Sequence, residues 1–423
     1  MRIDAAVLHR VQIPFAGKQR FGHASSERSC SDAVFVELRD DQGGVGWGEI
    51  LPRAYVTGET LEGVLERTGP QQARRLLGVE LSDRSMVEAW IRQTLPTVGR
   101  DLATFGGFEL ALLDLAGRRM GFSLADVLGG QTGNQTGNPT GNQFGPSLPA
   151  GVIIGFEIAT RKLKTYCALL RNKGHRHIKV KVGLPDDDER LQVITRVFGP
   201  DVPLRLDANE AWAKAPPEVA AAEILTLARI GIPIHSVEQP LGAGDLAGMR
   251  WLREHAGAPI MADESVCSLA DAEAIVRARA ADIFNVRVGK HGGVLASLAI
   301  VEHARAAGIG VHLGTMVGES GVLSRVAEVF GRCVPGFACL DGKGQNRFLL
   351  EEDVLAGPTD AAKDPAAVTP LTAPGLGVDV DPEIIARRAR GRALHLPSPS
   401  NSRETSSRAS PAAEERPWTS KRN

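Results

Sequence analysis

The stretch His177-Ile178-Lys179-Val180-Lys181-Val182-Gly183 alternates cationic and aliphatic residues over the length of one short strand. Because successive side chains of a strand point to opposite faces, Lys179 and Lys181 share one face and the aliphatic residues share the other. If the strand belongs to a closed barrel, both ammonium groups face one interior pocket. The stretch therefore predicts a barrel strand that carries candidate catalytic cations.

Seven other short apolar runs are of similar length, and helical stretches alternate with them along the chain. This alternation predicts an α/β fold built on a (β/α)7-8 TIM-type barrel. An open doubly wound sheet is the alternative, but it usually carries a Gly-rich phosphate turn after its first strand, and residues 152–157 offer none. The predicted strands are 151–154, 178–182, 203–206, 234–237, 259–261, 283–288, 310–313 and 336–340.

The residues before the barrel read as strands followed by helices. A hairpin is predicted by the runs 33–38 and 40–49, which are joined through Gly43 and Gly44, and residues 105–128 show helical spacing. We expect an α+β domain over 1–130 and the catalytic barrel over 148–345. The Thr-Gly-Asn repeat within 131–147 has little to bury and predicts a surface linker, and the polar segment 397–423 predicts a disordered tail.

Composition favours a protein that acts on small molecules. Of the 423 residues 43% are hydrophobic, and 49 Lys and Arg balance 50 Asp and Glu to a net charge of -1. This balance creates no general attraction to nucleic acid or to an anionic membrane. No run approaches the ~18 apolar residues of a membrane span, and the five scattered cysteines suit a reducing compartment. We expect a cytoplasmic protein with a small-molecule carboxylate as its partner.

Three acidic residues follow successive predicted strands. Asp207, Glu238 and Asp263 stand at the carboxyl ends of the third, fourth and fifth strands, where barrel enzymes build their active sites. Each acid alone reads most simply as a cap for the following helix. Three in register on neighbouring strands instead predict an oxygen-ligand site for Mg²⁺, with Mn²⁺ as a substitute.

Lysines flank this trio on both sides. Lys179 and Lys181 lie on the second strand, and Lys290 closes the run that begins at Phe284 on the sixth. A lysine near a strand end is usually solvated or salt-bridged. Two lysines on opposite sides of a metal site instead predict an acid/base pair, Lys181 and Lys290. We expect Lys179, as the nearest cation, to help keep Lys181 neutral enough to accept a proton.

Together these residues resemble the enolase superfamily, in particular its muconate lactonizing enzyme-like subgroup. The resemblance implies a capping domain over the barrel mouth, completed by a C-terminal segment (346–390) that packs on it. It also implies that the acidic trio holds Mg²⁺, that the two lysines act as acid and base, and that the chain assembles as a homo-oligomer. In the mandelate racemase-like subgroup the opposing base comes from a His/Asp pair. Because Lys290 fills that role here, we interpret His312 as structural. The matching motifs are Lys179-Val180-Lys181, Asp207-Ala208-Asn209, Val237-Glu238-Gln239-Pro240, Ala262-Asp263-Glu264-Ser265, Lys290 before Gly292-Gly293, and Pro374-Gly375-Leu376-Gly377-Val378.

The substrate is expected to contact the capping loops and the later strand ends. Dipeptide epimerases of this family carry an Asp-x-Asp after the eighth strand, but this chain has Lys343 at the second position, which speaks against ordinary dipeptide epimerisation. The expected substrate-binding residues are His23, Arg53, Tyr55, Glu319 and Asp341.

The leading interpretation is a Mg²⁺-dependent racemase or epimerase of an amino-acid-derived acid, which would act through an enediolate. A lyase or cycloisomerase, such as an o-succinylbenzoate synthase-like dehydratase or a muconate-type cycloisomerase, would use the same first step. Two other classes stay open: a pyridoxal phosphate barrel, which needs one lysine and no acidic trio, and a non-catalytic binding barrel.

Overall fold

The computed structural model describes residues 1–18, 21–23, 26–129, 144–357 and 369–398. The whole Thr-Gly-Asn repeat and almost all of the polar tail lie outside these ranges. The strands, numbered in chain order, are β1 Ile3–Pro14, β2 Phe21–His23, β3 Ser26–Arg28, β4 Cys30–Asp40, β5 Val45–Ile50, β6 Ala150–Ile154, β7 His177–Lys181, β8 Leu204–Asp207, β9 Ile234–Glu238, β10 Ile260–Ala262, β11 Ile283–Val286, β12 Gly310–Leu313, β13 Leu340–Asp341 and β14 Leu394–Pro397.

Helices connect the strands and form the outer layer of the molecule. None of the helices within the described ranges combines the length and apolar character needed to cross a membrane. The helices are α1 Leu61–Gly63, α2 Gly69–Leu76, α3 Arg84–Thr94, α4 Leu102–Met120, α5 Leu124–Gly129, α6 Thr160–Asn172, α7 Asp187–Phe198, α8 Pro217–Arg229, α9 Leu246–His255, α10 Leu269–Ala278, α11 Val288–His291, α12 Val294–Ala306, α13 Gly321–Cys333, α14 Gln345–Phe348 and α15 Pro382–Arg388.

Eight parallel strands close into a barrel, which confirms the predicted fold class. Around the barrel the strand order is β10-β11-β12-β13-β6-β7-β8-β9. In this ring, β7 and β11 are separated by three strands in either direction and therefore face each other. Each of the eight predicted runs corresponds to one barrel strand.

Six of the eight predicted strands end one or two residues away from the expected position, and two of these differences affect the site. β11 ends at Val286, and Lys290 lies in the short helix α11, because the chain turns there through Gly292 and Gly293 with φ of 94° and 99°. Glycine adopts these positive φ values without steric cost. β13 comprises only Leu340 and Asp341, so Asp341 belongs to the strand instead of following it.

A four-stranded antiparallel sheet forms the base of the N-terminal capping domain. Its order is β14-β1-β4-β5, so a C-terminal strand completes the sheet at one edge, as the predicted fold class requires, although this strand lies beyond the expected segment 346–390. The predicted hairpin is β4 and β5, and α4 packs against it. One apolar core runs from this sheet into the barrel around β11 to β13, which joins the two parts firmly, and a second core fills the space between β6 to β11 and their helices.

Candidate active site

A cavity opens at the carboxyl ends of the barrel strands, and the capping domain covers part of it. Arg28, Tyr55 and Val56 come from the capping domain, and the Arg28 guanidinium lies 5.8 Å from the centre of the Tyr55 ring. The barrel contributes charged and polar side chains from opposite sides of its mouth. These barrel residues include Lys179, Lys181, Asp207, Asn209, Glu264, Asn285, Arg287 and Asp341.

The alternation along β7 sends both of its lysines into the cavity, as predicted. Lys179 Nζ donates to Glu238 Oε1 at 2.7 Å and lies 3.1 Å from Asp207 Oδ2. Lys181 Nζ donates to Asp207 Oδ2 at 3.1 Å and contacts Asn209 Oδ1. Burial lowers the pKa of Lys179, but the Asp207 and Glu238 carboxylates outweigh it and raise that pKa above its ordinary value. Beside these carboxylates Lys179 carries a positive charge next to Lys181.

Two of the three predicted metal ligands end neighbouring strands in matched register, and the third follows the end of the next strand. Asp207 pairs with Lys181 across β7 and β8 and with Glu238 across β8 and β9, and Asp263 directly follows β10. All three are buried. Burial raises the pKa of Asp207, but Lys179 and Lys181 outweigh it and hold that pKa well below its ordinary value. Asp207 is thus anionic and lines the cavity, whereas Glu238 and Asp263 are buried at the ends of the next two strands, outside the cavity lining.

The donor set of this trio fits a divalent cation. Every candidate ligand is a carboxylate oxygen, which suits Mg²⁺ or Mn²⁺. Glu238 Oε2 is buried and makes no hydrogen bond, so it has an open coordination position. Within the described ranges, the one set of three His, Cys, Asp or Glu side chains whose ligand atoms all lie within 4.8 Å is instead His312, Cys339 and Asp341. The oxygens of the trio are spread more widely, and neighbouring cations pair with them.

The two cations that follow β11 occupy different places. Arg287 lines the cavity, contacts the Asp263 carboxylate and lies 3.9 Å from Glu238 Oε1. Lys290 is fully buried behind Asp263, and its Nζ donates to Asp263 O at 2.7 Å, Asp263 Oδ1 at 2.8 Å and Asn285 O at 3.1 Å. Burial, reinforced by Arg287, lowers the pKa of Lys290 to about 7. Its ammonium group nevertheless faces protein oxygens and not the cavity.

Unusual backbone conformations hold the strand ends in place. Asn209, Glu210 and Gln239 have φ of 41°, 63° and 39°, a region that non-glycine residues rarely occupy. The Gln239 side chain accepts from the backbone N–H of Asp263 at 3.0 Å and of Ser265 at 3.1 Å. Gln239 therefore links the end of β9 to the segment that carries Asp263.

The predicted substrate-binding residues separate into different environments. Tyr55 lines the cavity. Arg53 is buried beside it, where its guanidinium donates to the carbonyls of Asp32, Pro52 and Val317. Glu319 is buried below the loop after β12 and accepts from Met316 N at 2.6 Å, and burial raises its pKa to about 8. His23 lies in β2, and its side chain is outside the described residues.

Asp341 borders the cavity, but its charge is compensated within the barrel. Both of its oxygens bind the Arg205 guanidinium, and His312 Nε2 lies 3.0 Å from Asp341 Oδ2. Burial raises the pKa of Asp341, and Arg205 and His312 reverse this and hold it well below its ordinary value. Lys343 points elsewhere and pairs with Glu328 at 3.0 Å. Because Arg205 already supplies a positive charge, the His312, Cys339 and Asp341 set is poorly suited to a cation.

Several cavity residues escaped the sequence-based prediction of the site. Arg287 could have been predicted from the sequence. Side-chain alternation along a strand, which places Lys179 and Lys181 on one face of their strand, also places Asn285 and Arg287 on one face of theirs. Arg28 stood out only as one of several cations in a loop. Glu264 stood in the motif Ala262-Asp263-Glu264-Ser265 but was given no place in the cavity, and its pKa of about 7 arises from burial and from the nearby Asp207 and Glu238 carboxylates.

Comparison with known proteins supports one family. The sequence model of the family "Enolase C-terminal domain-like" matches residues 162–384. The L-Ala-D/L-Glu epimerase of Clostridium acetobutylicum is 27% identical over 382 residues, with 90% of this chain and 99% of that protein covered. Muconate cycloisomerase 1 of Pseudomonas putida is 31% identical over 399 residues, with 92% and 98% covered.

Solved structures lead to the same conclusion. A dipeptide epimerase from Enterococcus faecalis, crystallised with Mg and the dipeptide L-Leu-L-Tyr, superposes with a TM-score of 0.73 at 25% identity, with 90% of this chain and 100% of that chain covered. The barrel, the capping domain, the placement of the quoted motifs and the sequence matches agree. This chain therefore belongs to the enolase superfamily, within its mandelate racemase/muconate lactonizing enzyme family.

Proposed function

We propose that the protein removes the proton α to a substrate carboxylate, with the help of a divalent metal ion, to form an enediolate. The observation that carries the proposal is the position of Lys181 in the cavity, hydrogen-bonded to Asp207, whose strand neighbour across β8 and β9 is Glu238. A base beside a cluster of carboxylates is the arrangement that this half-reaction requires.

Each residue of the site has a role in the proposed step. Lys181 accepts the proton, and the positive charge of Lys179 favours the negative charge that develops on the substrate. Asp207, Glu238 and Asp263 would hold Mg²⁺ or Mn²⁺. When bound, such an ion supplies positive charge to the substrate carboxylate, where the second negative charge of the enediolate develops. Tyr55 and Arg28 cover the site and reduce the access of water.

Two outcomes of the enediolate are candidates. Racemisation or epimerisation of an amino-acid-derived acid is supported by the likeness to the epimerases from Clostridium acetobutylicum and Enterococcus faecalis. Elimination or cycloisomerisation is supported by the likeness to the muconate cycloisomerase from Pseudomonas putida. Both outcomes begin with the same proton abstraction.

The charges around the eighth strand favour an acid without a free ammonium group. Asp341 is paired with Arg205 through both oxygens, and Lys343 is paired with Glu328. A substrate ammonium would therefore meet no unpaired carboxylate at this strand, and Arg28 and Arg287 add positive charge to the cavity. N-acylated amino acids and acids with no amino group meet these requirements better than free dipeptides do.

Exchange of the α-proton in deuterated water tests the proposal. With Mg²⁺ present, a panel of N-acetyl and N-succinyl amino acids, L-Ala-L-Glu and muconolactone would be followed by NMR and mass spectrometry. We expect at least one acid to incorporate deuterium or to turn over. Lys181→Ala should reduce this rate by about 10²–10⁴-fold, because general-base catalysis typically contributes that much.

The matched control is Lys173→Ala, since Lys173 is an exposed lysine at the end of α6. This variant should retain the wild-type rate, and a chelator should abolish exchange until Mg²⁺ is restored. Full exchange by Lys181→Ala, or exchange that is indifferent to the chelator, would contradict the proposed function.

A further inference from the structure

We infer that proton transfer in this protein proceeds from one face of the substrate only, with Lys181 as the base and Arg287 as a fixed cation on the opposite face. This inference rests on the proposed function and specifies its stereochemical outcome. It replaces Lys290 with Arg287 as the group that opposes Lys181.

The barrel geometry places Arg287 opposite Lys181. β7 and β11 face each other across the ring, and Lys181 is the last residue of β7 while Arg287 directly follows β11. Both side chains line the same cavity. The Arg287 guanidinium contacts the Asp263 carboxylate and donates to Met316 Sδ at 3.7 Å, so it is held at the wall of the cavity between the end of β10 and the loop after β12. A substrate between the two strands would have Lys181 on one side and Arg287 on the other.

Lys290 is excluded from that position by its own contacts. It lies on α11, three residues beyond Arg287, and none of its surface is exposed. Its three hydrogen bonds to Asp263 and Asn285 use the full donor capacity of an ammonium group. To reach the cavity, Lys290 would have to break all three bonds and displace the Asp263 carboxylate. These contacts suit a residue that holds the Asp263 carboxylate in place from the side away from the cavity.

The chemistry of the two side chains decides the outcome. Inversion at the α-carbon requires one group to take the proton and a second group to return a proton on the opposite face. A guanidinium stays protonated in proteins, so Arg287 can accept no proton from the opposite enantiomer. It can still attract the negative charge of the substrate. The site is therefore built for reactions that Lys181 completes alone.

Such a reaction balances with Lys181 as the single acid and base. The α C–H bond breaks, its proton moves to Lys181 Nζ, and its electron pair forms the enediolate. The electron pair then forms the α,β double bond as the β C–O bond breaks, and the Lys181 ammonium protonates the departing hydroxyl to give water. Reprotonation of the enediolate by the same ammonium instead returns the starting enantiomer. Elimination and exchange with retention are thus the expected activities, and racemisation is not.

The test compares stereochemistry in three proteins. Both enantiomers of each N-acetyl and N-succinyl amino acid, and the β-hydroxy analogues of the N-acetyl acids, would be incubated in deuterated water and resolved by chiral chromatography. The wild type should exchange or eliminate from one enantiomer only. Arg287→Lys should create the missing base, so that the inverted product rises at least tenfold over wild type. Arg287→Gln, which removes the cation but supplies no base, should show no such gain.

A second variant separates the roles of the two β11 cations. Lys290→Arg keeps the positive charge behind Asp263, and we expect it to lower the melting temperature while the retained configuration of the product is unchanged. Combining Lys181→Ala with Arg287→Lys should leave exchange only from the enantiomer that the wild type ignores. Melting temperatures and Mg²⁺ titrations of every variant would verify that each protein folds and binds the metal.

The possible results distinguish the two proposals. If the wild type interconverts both enantiomers, and Lys290→Arg abolishes this, Lys290 is the opposing base and the one-sided inference is overturned while the proposed function stands. A wild type that shows no exchange or turnover with any acid of the panel would overturn both. Exchange with retention in the wild type, together with inversion in Arg287→Lys, would establish the inference.

Discussion

A single buried ion pair determines what the eighth strand can offer a substrate. Arg205 Nη1 donates to Asp341 Oδ2 at 2.7 Å, its Nη2 binds the other oxygen, and both side chains are buried in the barrel interior. His312 completes the cluster, which agrees with the structural role expected for it from the sequence. An aspartate in this state stabilises the barrel centre and is not available to an incoming cation.

We expect Arg205→Met to destabilise the protein by roughly 3–5 kcal/mol, because it leaves the Asp341 charge buried without its partner. Replacing both members, as in Arg205→Met with Asp341→Leu, should recover much of this loss, since no uncompensated charge then remains. Urea denaturation followed by circular dichroism measures the free energy of unfolding. A double variant that is less stable than the single variant would contradict this account.

At the scale of elements, the capping domain depends on the close approach of a strand and a helix. β5 carries Gly46 and Gly48 on the face that packs against α4, and α4 presents Gly107 there. A Cβ atom at Gly48 would lie 1.9 Å from the Gly107 carbonyl oxygen and 2.8 Å from Ala111 N. These are backbone atoms, so no side-chain rotation can relieve the contact.

Gly48→Ala should therefore force β5 away from α4 and cost about 3 kcal/mol or more, at the upper end of the range for overpacked cores. The matched control is Gly244→Ala, because a Cβ there meets no atom within 4 Å and the backbone does not have positive φ. Thermal unfolding of the two variants gives the comparison. Equal melting temperatures would show that the sheet and helix can separate without cost.

The elements were more predictable from the sequence than the residues that face the cavity. Short apolar runs between helical stretches are enough to predict eight barrel strands, because burial on both faces leaves a clear pattern. The acidic trio was predictable as well, since each acid directly follows such a run. Its role as the metal site remains a proposal.

Side-chain direction and pairing were harder to predict. Lys290 drew attention through its charge and the glycines after it, yet the turn into α11 moves it behind Asp263. Arg287 was overlooked although strand alternation points it inward. Asp341 was expected to meet substrate, but its partner Arg205 comes from a strand far away in sequence. Such long-range pairs leave no local pattern.

At the scale of the whole molecule, buried carboxylates join the capping domain to barrel helices. Glu49 at the end of β5 accepts from Ser320 N at 2.9 Å and Leu323 N at 3.2 Å, which lie at the start of α13. Glu109 on α4 accepts from the N–H groups of Val294 and Leu295 at the start of α12. Each carboxylate satisfies helix N-terminal donors that would otherwise be buried without partners. The two domains are therefore connected by polar contacts as well as by the shared apolar core.

The two carboxylates, Glu49 and Glu109, make the stability of the protein depend on pH. Burial raises the pKa of Glu49 and of Glu109 to about 7, and the hydrogen bonds offset only part of this effect. Between the ordinary glutamate pKa of 4.5 and about 7, the folded protein keeps protons that the unfolded chain releases. The folded state is therefore favoured at low pH in this window, and its stability falls as pH rises through it.

We expect the melting temperature to decrease from pH 5.5 to pH 8, and Glu49→Gln to reduce the size of that decrease, because a glutamine has no proton to lose. Glu109→Gln should act in the same way at the contact with α12. The double variant should show the smallest change of melting temperature with pH. The slope of the melting temperature against pH is the relevant quantity, since the lost hydrogen bonds lower the whole curve of either variant. Parallel curves for wild type and both variants would mean that these carboxylates are already ionised in the folded protein at pH 5.5.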